Sequence, residues 1–240
     1  MNTDVEVFRG HLHYEPGLVL HTASSGSVPY LDELYLRFST KHETLALGGV
    51  RTNVEYLTQI SGDKIEKQVI DWLSSVDLSN SFSALRDMAH KNEMLSPPAR
   101  ALLDQTLHDG IAREQGIPIC DLWGHSHGRV VDTNQTLFWS EDDTMLGLAR
   151  RYVARGFKTL KLRLGVGTFD DDLRRLGKLR DEFGDSVSLS GDVNGQWSDD
   201  DVLSRMVALE PYDLSYIEQP VSKTSWTMIK CLAKQSKVPV

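Results

Sequence analysis

The sequence predicts an α/β protein, with a small sheet and a helical layer in its first half and part of a βα barrel in its second half. Three observations predict this class. Apolar residues first alternate as in half-buried strands and then recur at helical spacing. From about Val130, strand and helix patterns alternate, with successive strands roughly 24 to 28 residues apart, as in βα units. Charged residues stand near the carboxyl ends of three successive strands, where barrel active sites assemble.

The first half has the pattern of a sheet followed by helices. Leu34, Leu36 and Phe38 share one face of a predicted strand, with Tyr35 and Arg37 on the other face. A long helix is predicted behind two prolines, because proline suits the first helical turn. Strands are predicted over residues 5–9, 33–39 and 43–50, and helices over residues 65–73 and 97–115.

The second half alternates strands with helices. Leu173, Leu176 and Leu179 recur at helical spacing behind three aspartates, whose charges favour the positive end of a helix dipole. An open doubly wound sheet fits this alternation as well as a barrel does. No glycine-rich phosphate loop follows the first strand, however, and this favours the barrel. Strands are predicted over residues 130–137, 159–164, 187–192, 214–218 and 238–240.

Composition and charge exclude several kinds of partner. The chain has 240 residues and a formal net charge of -8 at pH 7, which disfavours nucleic acid and anionic membranes. No apolar run reaches the roughly 20 residues that a membrane span needs. The N-terminus lacks an apolar signal core, and Cys120 and Cys231 lack ligand spacing. We therefore expect a cytoplasmic protein with reduced cysteines.

Two cations and two acids stand at matching positions of three predicted strands. Lys161 and Arg163 are two residues apart and therefore share one face of their strand. Asp192 and Glu218 end the next two strands. Buried cations need compensation, and the two carboxylates either supply it directly or hold a hard cation such as Mg²⁺. An ordinary ion-pair network is the alternative for each acid alone, but the convergence of four groups favours a site.

These residues resemble the signature of the enolase superfamily, in the branch of mandelate racemase and muconate lactonizing enzyme. The motifs are KLRLG at 161–165, DVNG at 192–195 and IEQP at 217–220. Residues 99–118 resemble the helix that leads into this family's barrel. The resemblance implies an α+β capping domain over residues 1–122. It also implies the N-terminal half of a modified TIM-type βα barrel over residues 123–240.

The resemblance further implies a metal site and a reaction. Asp192 and Glu218 match the first two of three Mg²⁺ ligands, and Asn194 matches a position beside the metal where we expect substrate contact. Lys161 would face the substrate carboxylate, and Arg163 stands where the family usually has the lysine that moves the proton. The implied reaction is Mg²⁺-dependent abstraction of the proton α to a carboxylate, through a metal-stabilised enediolate. It would racemise, epimerise or cycloisomerise a small carboxylic acid.

Arg163 leaves the reaction type open. Arginine is a poor base because it stays protonated, so this face either stabilises charge or uses Lys161 as the base. A dehydratase acting on a hydroxy or sugar acid is therefore one alternative. A non-catalytic family member or an inactive fragment is another.

Two loops of the first half match the family's specificity loops in the capping domain. They are residues 24–29 and 52–56, and in the second loop Asn53 and Tyr56 are the preferred substrate contacts. The resemblance also implies a homo-oligomer.

The chain is short for this architecture. A closed eight-stranded barrel needs about 200 to 250 residues, and the residues after Val130 suffice for about four strands and the start of another. The third metal ligand and the base on the opposite face would lie beyond Val240. We therefore expect a longer protein, and little activity from these 240 residues by themselves.

Overall fold

The structure is a computed structural model, and it describes residues 4–14, 20–22, 26–28, 30–40, 43–124 and 130–240. The chain divides into two compact units. One contains the N-terminal strand up to His13 together with Tyr30–Val130, and the other contains Val131–Val240 with the two short strands between residues 14 and 29. The domain boundary that we predict between residues 122 and 123 stays a prediction.

The helices and strands follow one another as two different patterns. The described strands are β1 Asp4–His13, β2 Leu20–Thr22, β3 Gly26–Val28, β4 Tyr30–Ser39, β5 Thr44–Arg51, β6 Gln135–Leu137, β7 Thr159–Arg163, β8 Ser188–Asp192 and β9 Leu214–Glu218. The described helices are α1 Glu55–Thr58, α2 Gly62–Ser75, α3 Phe82–Lys91, α4 Pro97–Gln115, α5 Asp142–Ala154, α6 Phe169–Phe183, α7 Val202–Leu209 and α8 Trp226–Gln235.

The first unit is built on a three-stranded antiparallel sheet with the strand order β1-β4-β5. Leu34, Leu36 and Phe38 of β4 are buried, which confirms the predicted alternation. These side chains belong to a core that the helices complete. The core also contains Ile65, Val69, Trp72, Phe82, Leu85, Leu102, Leu103 and Leu107.

The long helix α4 packs closely on β5. A Cβ atom on Gly48 would lie 2.3 Å from Thr106 Oγ1 and 2.8 Å from Thr106 N, so glycine permits the approach of the two backbones. Thr106 is fully buried, and its hydroxyl donates to Leu102 O at 2.7 Å. The helix begins at Pro97 and ends before Gly116, whose φ of 66° closes the last turn, so its predicted bounds are confirmed.

Helix α3 is absent from the sequence-based prediction. The side chain of Ser81 accepts from Ala84 N and caps its first turn, and Phe82, Leu85 and Ala89 are buried. The segment has ten residues, and an isolated helix of this length is marginal in water. Packing of the apolar stripe against the core stabilises it, and a short stripe of this kind gives little periodicity to recognise.

The second unit is a four-stranded parallel sheet with the order β6-β7-β8-β9. A helix follows each strand, as expected for successive βα units. The apolar residues of the strands and helices form one core. Its members include Leu137, Met145, Leu160, Leu162, Leu176, Leu179, Leu189, Val202, Met206, Leu214 and Ile217.

Two predicted strands of the second unit need correction. β6 begins at Gln135 rather than at residue 130, because Val130 and Val131 are 89% and 76% exposed and do not enter the sheet. Residues 238–240 form no regular strand, but Ile217 N donates to Pro239 O at 2.8 Å, so this segment lies alongside β9. The other predicted strands of this unit are confirmed to within one residue.

The predicted specificity loop at residues 24–29 is only partly described. Gly26–Val28 is strand β3, which pairs antiparallel with β2, so this part of the loop prediction is wrong. Ser24, Ser25 and Pro29 lie outside the described residues. Over the described ranges, every helix is too short or too polar to cross a bilayer.

Candidate active site

The parallel register brings three candidate residues side by side at the carboxyl ends of the strands. Arg163 of β7 is the register partner of Asp192 of β8, and Asp192 is the partner of Glu218 of β9. Lys161 lies two residues before Arg163 and therefore on the same face of β7. The sequence-based prediction that these four residues converge is consistent with this register.

Lys161 joins the two acids. Its Nζ lies 3.0 Å from Glu218 Oε2 and 3.3 Å from Asp192 Oδ2, so both carboxylates contact one ammonium group. The side chains of Lys161 and Asp192 are 18% and 15% exposed, whereas that of Glu218 is 51% exposed. The site therefore combines a shielded ion pair with a carboxylate that reaches solvent.

The environment of Lys161 favours its protonated form. Burial lowers the pKa of Lys161, but the hydrogen bond to Glu218 and the charges of Asp192 and Glu218 outweigh burial and raise it above its ordinary value. In this arrangement the ammonium group is a cation and a proton donor. A role as a base requires that the two acids be neutralised by something else.

Arg163 is held by the backbone. Its side chain is almost fully buried, and Nη1 donates to Leu164 O at 2.6 Å and to Asp192 O at 2.8 Å. Burial lowers the pKa of Arg163, and the charges of Asp192 and Asp172 oppose this shift. Because guanidinium pKa values are high, the group stays charged. It thus places a fixed positive charge at the ends of β7 and β8.

Asn194 shapes the loop that follows β8. It is half-buried, adopts a φ of 50°, and donates from its backbone N to Asp192 Oδ1 at 3.1 Å. The neighbouring Val193 N donates to Glu218 O at 3.1 Å, and Gly195 N donates to Gln219 O at 2.7 Å. The two backbone bonds join the segments that follow β8 and β9, and the Asn194 bond orients the Asp192 carboxylate. Contact between Asn194 and a substrate stays a prediction.

Asn53 and Tyr56 lie in the first unit, after β5. The Asn53 side chain accepts from Arg51 Nε at 2.8 Å and donates to Tyr30 O at 3.0 Å, so its amide is oriented by the sheet. Tyr56 lies in the short helix α1 and is half-buried. Their predicted role as substrate contacts stays a prediction.

The described residues contain no cluster of three or more His, Cys, Asp or Glu side chains that could hold a metal ion. The site supplies two carboxylates, Asp192 and Glu218. Two carboxylates are a common protein contribution to Mg²⁺, which keeps several waters or substrate oxygens in its shell. The donor set therefore fits a hard cation.

Sequence reasoning missed two buried charged residues beside the site. Asp172 and Arg175 are fully buried in α6, although we interpreted the aspartates of this helix only as favourable to its dipole. Gly165 N donates to Asp172 Oδ2 at 2.8 Å. Their spacing was the available signal, because Asp172 and Arg175 fall on the same helical face as the buried Leu176 and Leu179.

The fold and the charged cluster define a class of protein: a chain with an α+β unit and a βα-barrel unit, the second carrying charged groups at the carboxyl ends of its strands. The model of the enolase C-terminal domain-like family matches residues 144–240. The L-Ala-D/L-Glu epimerase of Bacillus subtilis is 25% identical over 189 residues, which cover 77% of this chain and 51% of that protein. The chloromuconate cycloisomerase of Pseudomonas putida is 25% identical over 173 residues, covering 70% and 47%.

A solved structure shares this fold over nearly the whole chain. The dipeptide epimerase from Enterococcus faecalis V583, complexed with Mg and the dipeptide L-Leu-L-Tyr, superimposes with a TM-score of 0.81 at 21% identity. The match covers 98% of this chain and 65% of that one. Residues 144–240 thus resemble the enolase C-terminal domain-like family, and most of the chain is similar in sequence to an epimerase and a cycloisomerase. The chain spans about half the length of the curated relatives that it matches.

Proposed function

We propose that this chain carries one face of the active site of a Mg²⁺-dependent enzyme that moves the proton α to a carboxylate. The product would be a racemised, epimerised or cycloisomerised small carboxylic acid. One observation carries the proposal: acids from two adjacent strand ends, Asp192 and Glu218, contact the same ammonium group. The epimerase and cycloisomerase activities of the relatives support it.

Asp192 and Glu218 would hold the metal. Their oxygens are hard donors, and the contact of both carboxylates with Lys161 supports a preference of this position for a cation. When bound, Mg²⁺ would stabilise the negative charge that develops on the substrate carboxylate as the α-proton leaves. The backbone N of Asn194 keeps the Asp192 carboxylate oriented through its hydrogen bond.

Lys161 and Arg163 have different roles in this proposal. Lys161 binds the substrate carboxylate or moves a proton, and it accepts a proton only once its own bonds to the acids are relieved. Arg163 stays protonated, so it stabilises negative charge and holds the Asp192 backbone.

We further propose that Asn53, Tyr56 and Asn194 contact the substrate. The dipeptides and Mg in related solved enzymes make dipeptides the first compounds to test. A cytoplasmic location and a homo-oligomeric state are also proposals, the first supported by the two free cysteines. Sedimentation analysis of the full-length protein tests the oligomer.

The test is the variant Glu218→Gln in the full-length protein. We expect Mg²⁺-dependent exchange of the substrate α-proton in deuterated water to fall at least about 100-fold, because removing a metal ligand removes transition-state charge stabilisation. Glu210→Gln is the matched control, since Glu210 pairs with Lys237 on the surface. Undiminished exchange in Glu218→Gln overturns the proposal.

A dehydratase is the second candidate, and Arg163 favours it. The guanidinium of Arg163 is hydrogen-bonded to two carbonyl oxygens. The β7 side of the site therefore offers one lysine amine, Lys161, where related enzymes usually have two. Proton transfer on a single face suits loss of water from a hydroxy or sugar acid. Formation of a dehydrated product rather than an epimer in the same assay distinguishes the two reactions: an unsaturated acid from a simple hydroxy acid, or a keto acid from a sugar acid, whose enol product tautomerises. A non-catalytic protein would bind no Mg²⁺ in a calorimetric titration.

A further inference from the structure

Two buried charged side chains of α6 contact the carboxyl ends of the neighbouring strands. Asp172 and Arg175 are both 0% exposed and lie in the first two turns of this helix. Burying a charged side chain costs free energy unless hydrogen bonds or opposite charges compensate, and these two side chains make their hydrogen bonds to backbone groups. Their contacts therefore point to a role in geometry rather than in stability alone.

Arg175 joins two strand ends. Its Nη1 donates to Arg163 O at 2.9 Å, at the last residue of β7, and its Nη2 lies 3.4 Å from Phe138 O, just after β6. The guanidinium also lies 4.4 Å from the centre of the Trp139 ring, which favours the cation. The planar group has several donors in fixed directions, so a single side chain can reach both carbonyl oxygens.

Asp172 binds the backbone just after the end of β7. Its Oδ2 accepts from Gly165 N at 2.8 Å, and Gly165 has a φ of 72° and lies against Gln196 and Trp197. Burial raises the pKa of Asp172 to about 6, and the bond to Gly165 together with three arginine charges opposes this shift. Burying the charged carboxylate thus costs free energy, and its hydrogen bond to Gly165 offsets this cost only in part.

The contacts continue into the candidate site. Arg163, whose carbonyl accepts from Arg175, itself donates through Nη1 to Asp192 O at 2.8 Å. A chain of buried charged groups therefore runs from α6 through the end of β7 to the end of β8. Lys161 and Asp192, which contact each other at 3.3 Å, lie on the two strands that this chain joins.

We propose that Asp172 and Arg175 are positioning residues, which hold residues 163–165 and thereby set Lys161 against Asp192. This inference rests on the proposed function. Neither residue touches the reacting atoms. Each acts through the backbone of β7, as outer groups around catalytic and metal-binding residues commonly do.

The variants Asp172→Ala, Asp172→Asn and Arg175→Lys in the full-length protein test the proposal. Alanine removes the acceptor for Gly165 N, asparagine keeps an acceptor oxygen, and lysine keeps the charge but loses the planar group. We expect kcat to fall about 10- to 100-fold in Asp172→Ala and Arg175→Lys, with KM within about twofold, and to recover in Asp172→Asn. Asp170→Ala and Arg174→Lys are matched controls from the exposed face of α6, and we expect them to keep wild-type kcat.

Hydrogen exchange of the peptide covering residues 160–168, measured without substrate, separates this proposal from the proposed function. Faster exchange in Asp172→Ala and Arg175→Lys, but not in the controls, supports the proposal that these two side chains hold residues 163–165, even if the wild type proves inactive. Unchanged exchange overturns it. Faster exchange with an unchanged kcat in an active, folded enzyme also overturns it, because the two residues would then be structural only. If Asp172→Ala does not fold, Arg175→Lys with its control decides.

Discussion

At the residue scale, Lys161 stands where two carboxylates meet. Its ammonium group contacts Asp192 and Glu218, and these acids keep the pKa of Lys161 above its ordinary value despite burial. A divalent cation bound by the same acids would compete with the ammonium group for their charge. Binding of a metal ion by Asp192 and Glu218 would therefore change the protonation state of Lys161, which is the candidate base.

This competition gives a prediction for Mg²⁺ affinity. We expect Lys161→Met to bind Mg²⁺ about fivefold more tightly than the wild type, because an ion pair of about 1 kcal/mol no longer competes. Isothermal titration calorimetry of the full-length protein measures the change. Lys158→Met is the control, since Lys158 is exposed. Weaker binding in Lys161→Met would show that the ammonium group does not compete with the metal.

Asp172 gives a second prediction at this scale. Burial raises the pKa of Asp172 to about 6, above its value in an unfolded chain, so the folded protein holds this proton more tightly. The resulting stability is complete below about pH 4 and is lost as the pH rises through about 6. We expect the free energy of unfolding of the wild type, relative to Asp172→Asn, to fall by on the order of 3 kcal/mol across this range.

Urea unfolding at several pH values measures this difference. The comparison with Asp172→Asn removes the contributions that other carboxyl groups make to both proteins. A difference that rises with pH would mean that Asp172 has a lowered pKa, as in an ordinary surface ion pair, and would contradict burial as the dominant cause.

At the element scale, α6 is defined by a reciprocal cap. Thr168 Oγ1 accepts from Asp171 N at 3.2 Å, and Asp171 Oδ2 accepts from Thr168 N at 3.0 Å. The Arg174 and Thr168 hydrogen bonds hold the pKa of Asp171 well below its usual range. Because Asp172 and Arg175 belong to the first turns of this helix, its start also sets the contacts to β7.

We expect Thr168→Ala to lower the free energy of unfolding by about 1 kcal/mol, the usual loss for a capping hydroxyl. Denaturant unfolding measures it. Thr133→Ala is the control, because Thr133 is an exposed threonine outside any helix, and a change within about 0.5 kcal/mol is expected there. An equal loss in the two variants would argue against the cap.

Two glycines predict opposite effects of the same substitution. We expect Gly48→Ala to destabilise the first unit by about 1 to 3 kcal/mol, because its Cβ would overlap Thr106 where β5 meets α4. Gly147→Ala should instead stabilise α5 by roughly 0.5 to 1 kcal/mol, because nothing lies within 4 Å of the added Cβ and alanine favours helix. Thermal unfolding of both variants measures the signs, and equal signs would contradict the packing at Gly48.

At the scale of the whole molecule, the two units have separate hydrophobic cores. In the first unit, antiparallel strands precede a series of helices, whereas in the second unit a helix follows each strand of the parallel sheet. This difference in pattern made the change of architecture near residue 130 visible in the sequence. The match of the family model to residues 144–240 lies within the second pattern.

The sequence by itself determined the elements whose periodicity is long or strictly alternating, such as β4, β7 and α4. It also determined the convergence of Lys161, Asp192 and Glu218, because parallel strands in register must bring their carboxyl ends together. Both inferences use only local spacing and the repeat of the βα unit. Local spacing did not predict the short helix α3 or the start of β6 at Gln135. Both depend on which residues are buried against distant parts of the chain.

Only the tertiary structure decided what each charged group contacts. Spacing places Arg163 on a face of β7, but it does not reveal that the guanidinium donates to the backbone of β8. The bond of Arg175 to Phe138 O joins residues 37 positions apart, a pairing that no periodicity encodes. Sequence patterns report which way a side chain points, whereas the partner it meets depends on how separate elements pack.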